Sequence, residues 1–213
     1  MITQLLPADA PEALARASAL LRQGELVVFP TDTVYGVGVD AFNPAAVDRL
    51  YRVKQRDLEK GIPILISDLT ILPQVTAGLP ERHRAALQAL ITRYWPGPLT
   101  LILPRRLDLP ANLSPNAGVA VRLPNHDAVR RLIRAAGGAV AASSANLSGE
   151  PPACTAEEAV AIFQGRVAAV VDGGRSPGGA PSTILDFTGA QPELLRAGPL
   201  PMAQLLADMR QLA

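Results

Sequence analysis

Thr31, Asp32 and Thr33 follow closely on the apolar run Leu26 to Phe29, with Pro30 between. Proline cannot donate to a continuing ladder, so the run is predicted to be a strand that stops there and leaves two hydroxyls and a carboxylate at its carboxyl end. Ligands bind at that end in open α/β sheets; a plain turn, its Thr and Asp side chains bonding their own backbone, fits the same residues. Lys54, Arg56 and Lys60 form a second group, suited to a polyphosphate because arginine offers a planar fork and lysine a point charge. Residues two apart on a helix point to nearly opposite sides, so Lys54 and Arg56 converge only if their helix ends there, which Asp57 and Gly61 would allow. A solvated helix end, with cations favoured by the dipole, is the competing reading. Alternation along Val119-Ala120-Val121-Arg122 sets Arg122 beside the small Ala120 and opposite the valines, leaving room for a carboxylate to be gripped; an exposed face or a structural ion pair fits equally. Ser144 and Asn146 share a face if their backbone is extended, offering a hydroxyl and an amide to a polar ligand, and an ordinary turn fits them too. The chemistry these groups suggest is neutralisation and alignment of anions.

The elements that would position them follow from hydrophobic period and from caps. Asp9 and Glu12 resemble a capping box ahead of Leu14, Ala17 and Leu21, and Gly24 closes that helix. Asn43 and Pro44 look like the cap and first position of a helix carrying Val47, Leu50 and Tyr51. Strands are predicted over Ile62–Ile66, Leu99–Leu103, Val119–Leu123, Ala139–Ala142, Val167–Val171, Ser182–Phe187 and Leu194–Arg196. Helices are predicted over Pro80–Tyr94, after an Asn125 cap, after a Thr155/Glu158 capping box, and over Met202–Leu212. This alternation predicts an α/β fold with helices covering a sheet.

At 213 residues, one sizeable core in a single domain is expected, spanning 1–213. An apolar fraction of 48% with 18% charged residues is globular, and no apolar run reaches membrane-spanning length. The start lacks the basic and apolar segments of a secretory signal, so a cytoplasmic location is expected. A single cysteine, Cys154, excludes an internal disulfide, and with only His83 and His126 a protein metal cage is not expected. Both histidines lie in predicted helix contexts, read as surface or capping positions, so a Ser-His-Asp arrangement has little support. Gly36-Val37-Gly38 lacks the third glycine of a dinucleotide loop, and no Gly-Lys-Ser/Thr of a P-loop exists. A formal charge of +1 and 4% aromatic residues weigh against an RNA-binding module without catalysis, the main alternative function.

Pro30-Thr31-Asp32-Thr33-Val34-Tyr35-Gly36, Lys54-Gln55-Arg56, Val119-Ala120-Val121-Arg122-Leu123-Pro124 and Ser143-Ser144-Ala145-Asn146-Leu147-Ser148-Gly149 together closely resemble the YrdC/TsaC family of threonylcarbamoyl-AMP synthases. Order and spacing match from about residue 10 to 200, and Pro181 to Asp186 and Leu195 to Gly198 fit the same pattern. The resemblance implies a YrdC-like twisted, mixed sheet flanked by helices around a deep basic cavity. It implies that L-threonine, bicarbonate and ATP, with Mg²⁺ held through ATP oxygens and no organic prosthetic group, give threonylcarbamoyl-AMP and pyrophosphate. Other proteins would then transfer the threonylcarbamoyl group to tRNA, with at most weak tRNA contact by this chain.

Carried over position by position, Lys54 and Arg56 are the expected catalytic residues, and Arg56, Lys60, Ser144 and Arg196 the expected ATP-binding ones. Thr33, Arg122 and Ser182 are expected to bind threonine, with Arg122 on its carboxylate, while Tyr35 and Asn146 shape the pocket. Discrimination against serine rests on one methyl, worth about 1–3 kcal/mol, so some use of serine is expected. The chain departs from many relatives in carrying Asp57 where they have proline and Ser67 near a histidine of some longer ones. The C-terminal domain of those longer relatives is expected to be absent.

Overall fold

A computed structural model describes residues 2–178 and 180–211. In chain order its elements are β1 (Gln4–Pro7), α1 (Pro11–Arg22), β2 (Val27–Phe29), β3 (Gly36–Asp40), α2 (Pro44–Lys54), β4 (Ile64–Ile66), α3 (Leu72–Val75) and α4 (Arg84–Tyr94). There follow β5 (Leu99–Pro104), β6 (Gly118–Arg122), α5 (Asp127–Ala135), β7 (Ala139–Ser144), α6 (Ala156–Phe163), β8 (Ala169–Asp172), β9 (Thr183–Asp186), β10 (Glu193–Arg196) and α7 (Met202–Gln211). The strands form one sheet in the order β1-β8-β2-β3-β7-β4-β6-β5-β9-β10. It is mixed: β1/β8, β2/β8, β4/β6 and β5/β9 are parallel, and the remaining neighbours antiparallel.

Period-two alternation sends successive side chains to opposite faces, and the faces differ in what covers them. Val28, Val37, Ile64, Ile66, Val119, Val121, Leu101 and Leu185 belong to the larger apolar cluster, which includes residues of α2, α4, α6 and α7. On the other face Val27, Phe29, Leu65, Val140 and Ala142 pack with Leu14, Leu21, Val129, Leu132 and Ile133 of α1 and α5. Those two helices cover only the β1-to-β4 side of that face. From β4 to β10 the same face carries Ala120, Arg122, Thr100, Ile102, Ser182 and Ile184, which line a cavity instead of a helix.

Several sequence expectations change at the element level. The Asp9/Glu12 box does not form: Pro11 takes the first helical position, which makes Ala10 the cap residue, without a side-chain bond. Asn125 is likewise not the cap of α5, a place taken by His126. Asn43 does cap α2, its side chain accepting from Ala46 N at 3.1 Å, and Thr155 caps α6 by accepting from Glu158 N at 3.2 Å. The predicted helix from Pro80 opens as a 3-10 turn over Glu81–His83. His83 is buried rather than superficial, packed edge-on to Phe187 with its Nε2 donating to the Gly189 carbonyl at 3.2 Å. Gly36 to Asp40 forms a full strand, which the glycines hid, and β1 was not anticipated because it alternates between half-buried and exposed. Leu212, assigned to the last helix, lies outside the described residues.

Candidate active site

The geometry starts where α2 ends. Gln55 adopts the left-handed conformation with φ 52°, and the amides of Gln55 and Arg56 return to the carbonyls of Arg52 and Tyr51 at 3.2 and 3.0 Å. This is a Schellman turn with glutamine in the usual place of glycine, and it reverses the chain direction between the two cations. The condition for Lys54 and Arg56 to converge, an ended helix, is met, yet the turn sends them to different surroundings. Arg56 reaches the cavity while its Nε and Nη2 donate to the carbonyls of Lys60 at 2.9 Å and Gly61 at 2.8 Å. Lys54 is fully buried; its Nζ donates to the Ser144 carbonyl at 2.5 Å, the Asn146 carbonyl at 2.7 Å and Asn146 Oδ1 at 3.1 Å. Burial, with the Arg56 charge second, lowers the Lys54 pKa to about 7. Lys54 therefore ties down the loop after β7 and does not line the cavity.

Lys60 is exposed and also outside the cavity wall; it contributes its carbonyl, which Tyr51 joins Arg56 in donating to. Asp57 organises that turn through its side chain, accepting from Glu59 N at 3.0 Å. Ser144 lines the cavity and donates to Asn146 Oδ1 at 2.7 Å, while Asn146 itself stands behind it, its Nδ2 donating to the Glu150 carbonyl at 2.6 Å.

Thr33, Arg122 and Ser182, far apart in the chain, all line the cavity. Arg122 is buried and forms the structural ion pair that the sequence left open, donating from Nε to the Gly97 carbonyl at 3.0 Å, from Nη1 to Thr33 Oγ1 at 3.1 Å and from Nη2 to Asp32 Oδ1 at 2.6 Å. Thr33 Oγ1 lies 3.0 Å from Thr31 Oγ1, and Ser182 Oγ 2.7 Å from Thr100 Oγ1. Arg196, on the edge strand β10, donates to the Ser182 carbonyl at 2.9 Å and to its hydroxyl at 3.1 Å. Burial, then the charges of Arg122 and Arg56, lower the Arg196 pKa to about 10. The three guanidiniums thus share one field. Tyr35 forms part of the wall, its hydroxyl donating away to the Gly174 carbonyl at 2.6 Å.

The cavity measures about 440 Å³, within the range of small-molecule sites. Its lining also includes the apolar Ile102, Leu113, Pro115, Ile184 and Leu195 and the acidic Glu59 and Asp186. Thr100 was not singled out from sequence, Asp186 appeared only as the end of a motif, and Asp32, though part of the opening group, was given no site role of its own. Thr100 and Ile102 alternate with Leu99, Leu101 and Leu103, a signal that could have placed Thr100 on the open face. Among the described residues no group of three or more His, Cys, Asp or Glu is gathered as a metal site would require.

The sequence model of the Sua5/YciO/YrdC family, described as "Telomere recombination", matches residues 19–198. The chain belongs to the Sua5/YciO/YrdC family. It is 41% identical over 211 residues to the threonylcarbamoyl-AMP synthase of Bacillus subtilis, covering 97% of this chain and 59% of that protein. The synthase of Chromohalobacter salexigens is 38% identical, over 84% of this chain and 95% of its own length. Among structures, Pyrococcus abyssi Sua5 complexed with L-threonine superposes on this Sua5/YciO/YrdC chain with a TM-score of 0.91 at 34% identity, covering 100% of this chain and 62% of that one. Escherichia coli YciO, at 23% identity and a TM-score of 0.83, shares the fold. The chain spans somewhat over half the length of the Bacillus and Pyrococcus synthases it matches, at 59% and 55%. Among the described residues no helix is long and apolar enough to cross a membrane.

Proposed function

We propose that the chain is a nucleotidyltransferase that makes threonylcarbamoyl-AMP and pyrophosphate from L-threonine, bicarbonate and ATP. The observation that carries this reading is the convergence of Arg56, Arg122 and Arg196 with Thr33, Ser182 and Ser144 on one cavity without an activated nucleophile. The reaction needs none. The threonine amine and bicarbonate give an N-carboxylate and water; a carboxylate oxygen attacks the α-phosphorus of ATP, the bond to the β-phosphate oxygen breaks, and pyrophosphate leaves. What the enzyme must supply is alignment and neutralisation of charge.

The N–H groups that Arg122 has left take the threonine carboxylate, while the Thr33 and Ser182 hydroxyls fix the amino acid beside it. Arg196 and Arg56 face the phosphates, and the apolar side chains of the lining accept the base. Lys54 holds Ser144 in place from beneath rather than touching phosphate, and Lys60 reaches the triphosphate from the exposed turn at the rim. Mg²⁺ arrives on the ATP oxygens. Homologues named threonylcarbamoyl-AMP synthase and the threonine complex of a relative support the assignment. The product then passes to proteins that modify tRNA, and a cytoplasmic setting suits that hand-over.

Pyrophosphate release tests the proposal. It is expected only when threonine, bicarbonate and MgATP are all present; release that persists without bicarbonate points instead to simple amino-acid adenylation. No release at all, with RNA binding of steep salt dependence, would establish the RNA-binding alternative.

A further inference from the structure

Arg122 is a buried cation whose charge is matched before any ligand arrives. Its side chain is 7% exposed and that of Asp32 13%, with Nη2 and Oδ1 2.6 Å apart. Three of its five N–H groups are donated, to Gly97, Thr33 and Asp32, which leaves two for a substrate carboxylate. Asp32 does not line the main cavity. It borders a second one of about 460 Å³ together with His126 and Arg175, and Thr31 belongs to both walls. A carboxylate entering the main cavity therefore meets a guanidinium already held and neutralised from behind.

We infer that Asp32 is a positioning residue of the amino-acid site: an internal counterion that orients Arg122 and competes with the substrate carboxylate for its charge, so setting the affinity for L-threonine. The inference rests on the threonylcarbamoyl-AMP synthase reading of the cavity. A buried guanidinium with no partner is costly, and Asp32 removes that cost in the empty site. Once an amino acid binds, two carboxylates flank one guanidinium, and their mutual repulsion subtracts from the gain. A purely structural role predicts the opposite sign, because loosening Arg122 would weaken binding.

Asp32→Asn keeps an oxygen acceptor for Nη2 and removes the charge. The expected result is a KM for L-threonine lowered about three- to tenfold, with the KM for ATP unchanged. Asp32→Glu, which restores the charge, is expected to return the threonine KM to the wild-type value. L-threoninamide, which has no carboxylate, is expected to inhibit wild type and Asp32→Asn equally. A threonine KM unchanged or raised in Asp32→Asn overturns the inference while leaving the synthase reading standing, provided the wild type is active. A wild type that makes no pyrophosphate from threonine, bicarbonate and ATP overturns both. If Asp32→Asn does not fold, Asp32→Ser, read in the same way, decides the question.

Discussion

At the scale of single residues, the two cations of Lys54-Gln55-Arg56 sit in different surroundings, and different tests separate them. Arg56 faces the cavity and also clamps the carbonyls of Lys60 and Gly61. Arg56→Ala is expected to lower kcat/KM at least about 100-fold, by loss of charge stabilisation, while costing roughly 1–2 kcal/mol of stability in steady-state kinetics and urea unfolding respectively. Lys54 should show itself in stability. Its pKa is about 7 in the fold against about 10.4 in the unfolded chain, so between those values the unfolded state binds more protons. Stability conferred by this group therefore rises as pH goes from 7 towards 10 and is flat below 7. Urea unfolding at pH 7 and pH 9 should show that rise in the wild type and its loss in Lys54→Met; equal slopes would rule out the assignment. The residue types of this segment were legible in the sequence. The directions of the two side chains were not, because they depend on Gln55 taking φ 52°, a conformation rare outside glycine and asparagine.

At the scale of elements, strand alternation was the most informative signal. It placed Arg122 opposite Val119 and Val121, as found. It failed for β3, where two glycines lower the apparent β propensity, and for β1, whose burial is partial. What no local pattern could reveal is that Asp32 and Arg122, or Ser182 and Thr100, meet across distant stretches of chain. The approach of the segment after β10 to the start of β9 is another such contact. A Cβ on Gly198 would collide with Thr183 N and come within 2.6 Å of the Pro181 carbonyl oxygen. Since backbone cannot yield as a side chain can, Gly198→Ala should displace the start of β9 and with it Ser182 and Arg196. The expected outcome is a raised KM for threonine in kinetic assays, with a lowered melting temperature; wild-type values for both would show that the strand shifts freely.

At the scale of the whole molecule, function follows from incomplete coverage of a sheet. Helices α1 and α5 cover one half of a face, and the other half, from β4 to β10, is left to a mixture of polar and apolar side chains around a cavity. In the proposed reading, three guanidiniums within one field, of which Arg196 is lowered to about 10, let that cavity take several anions at once. Bicarbonate, an amino-acid carboxylate and a triphosphate are such a set. The alternating strands and helices made the α/β class and the helix-covered sheet legible in the sequence. The half-covered face was not, because it arises from the order in which ten strands join. The central claim is tested most directly by incubating the purified chain with L-threonine, ¹³C-labelled bicarbonate and MgATP and following adenylates by mass spectrometry. Threonylcarbamoyl-AMP carrying the label is the predicted product; an unlabelled threonyl adenylate, or no adenylate with the protein folded, would contradict it.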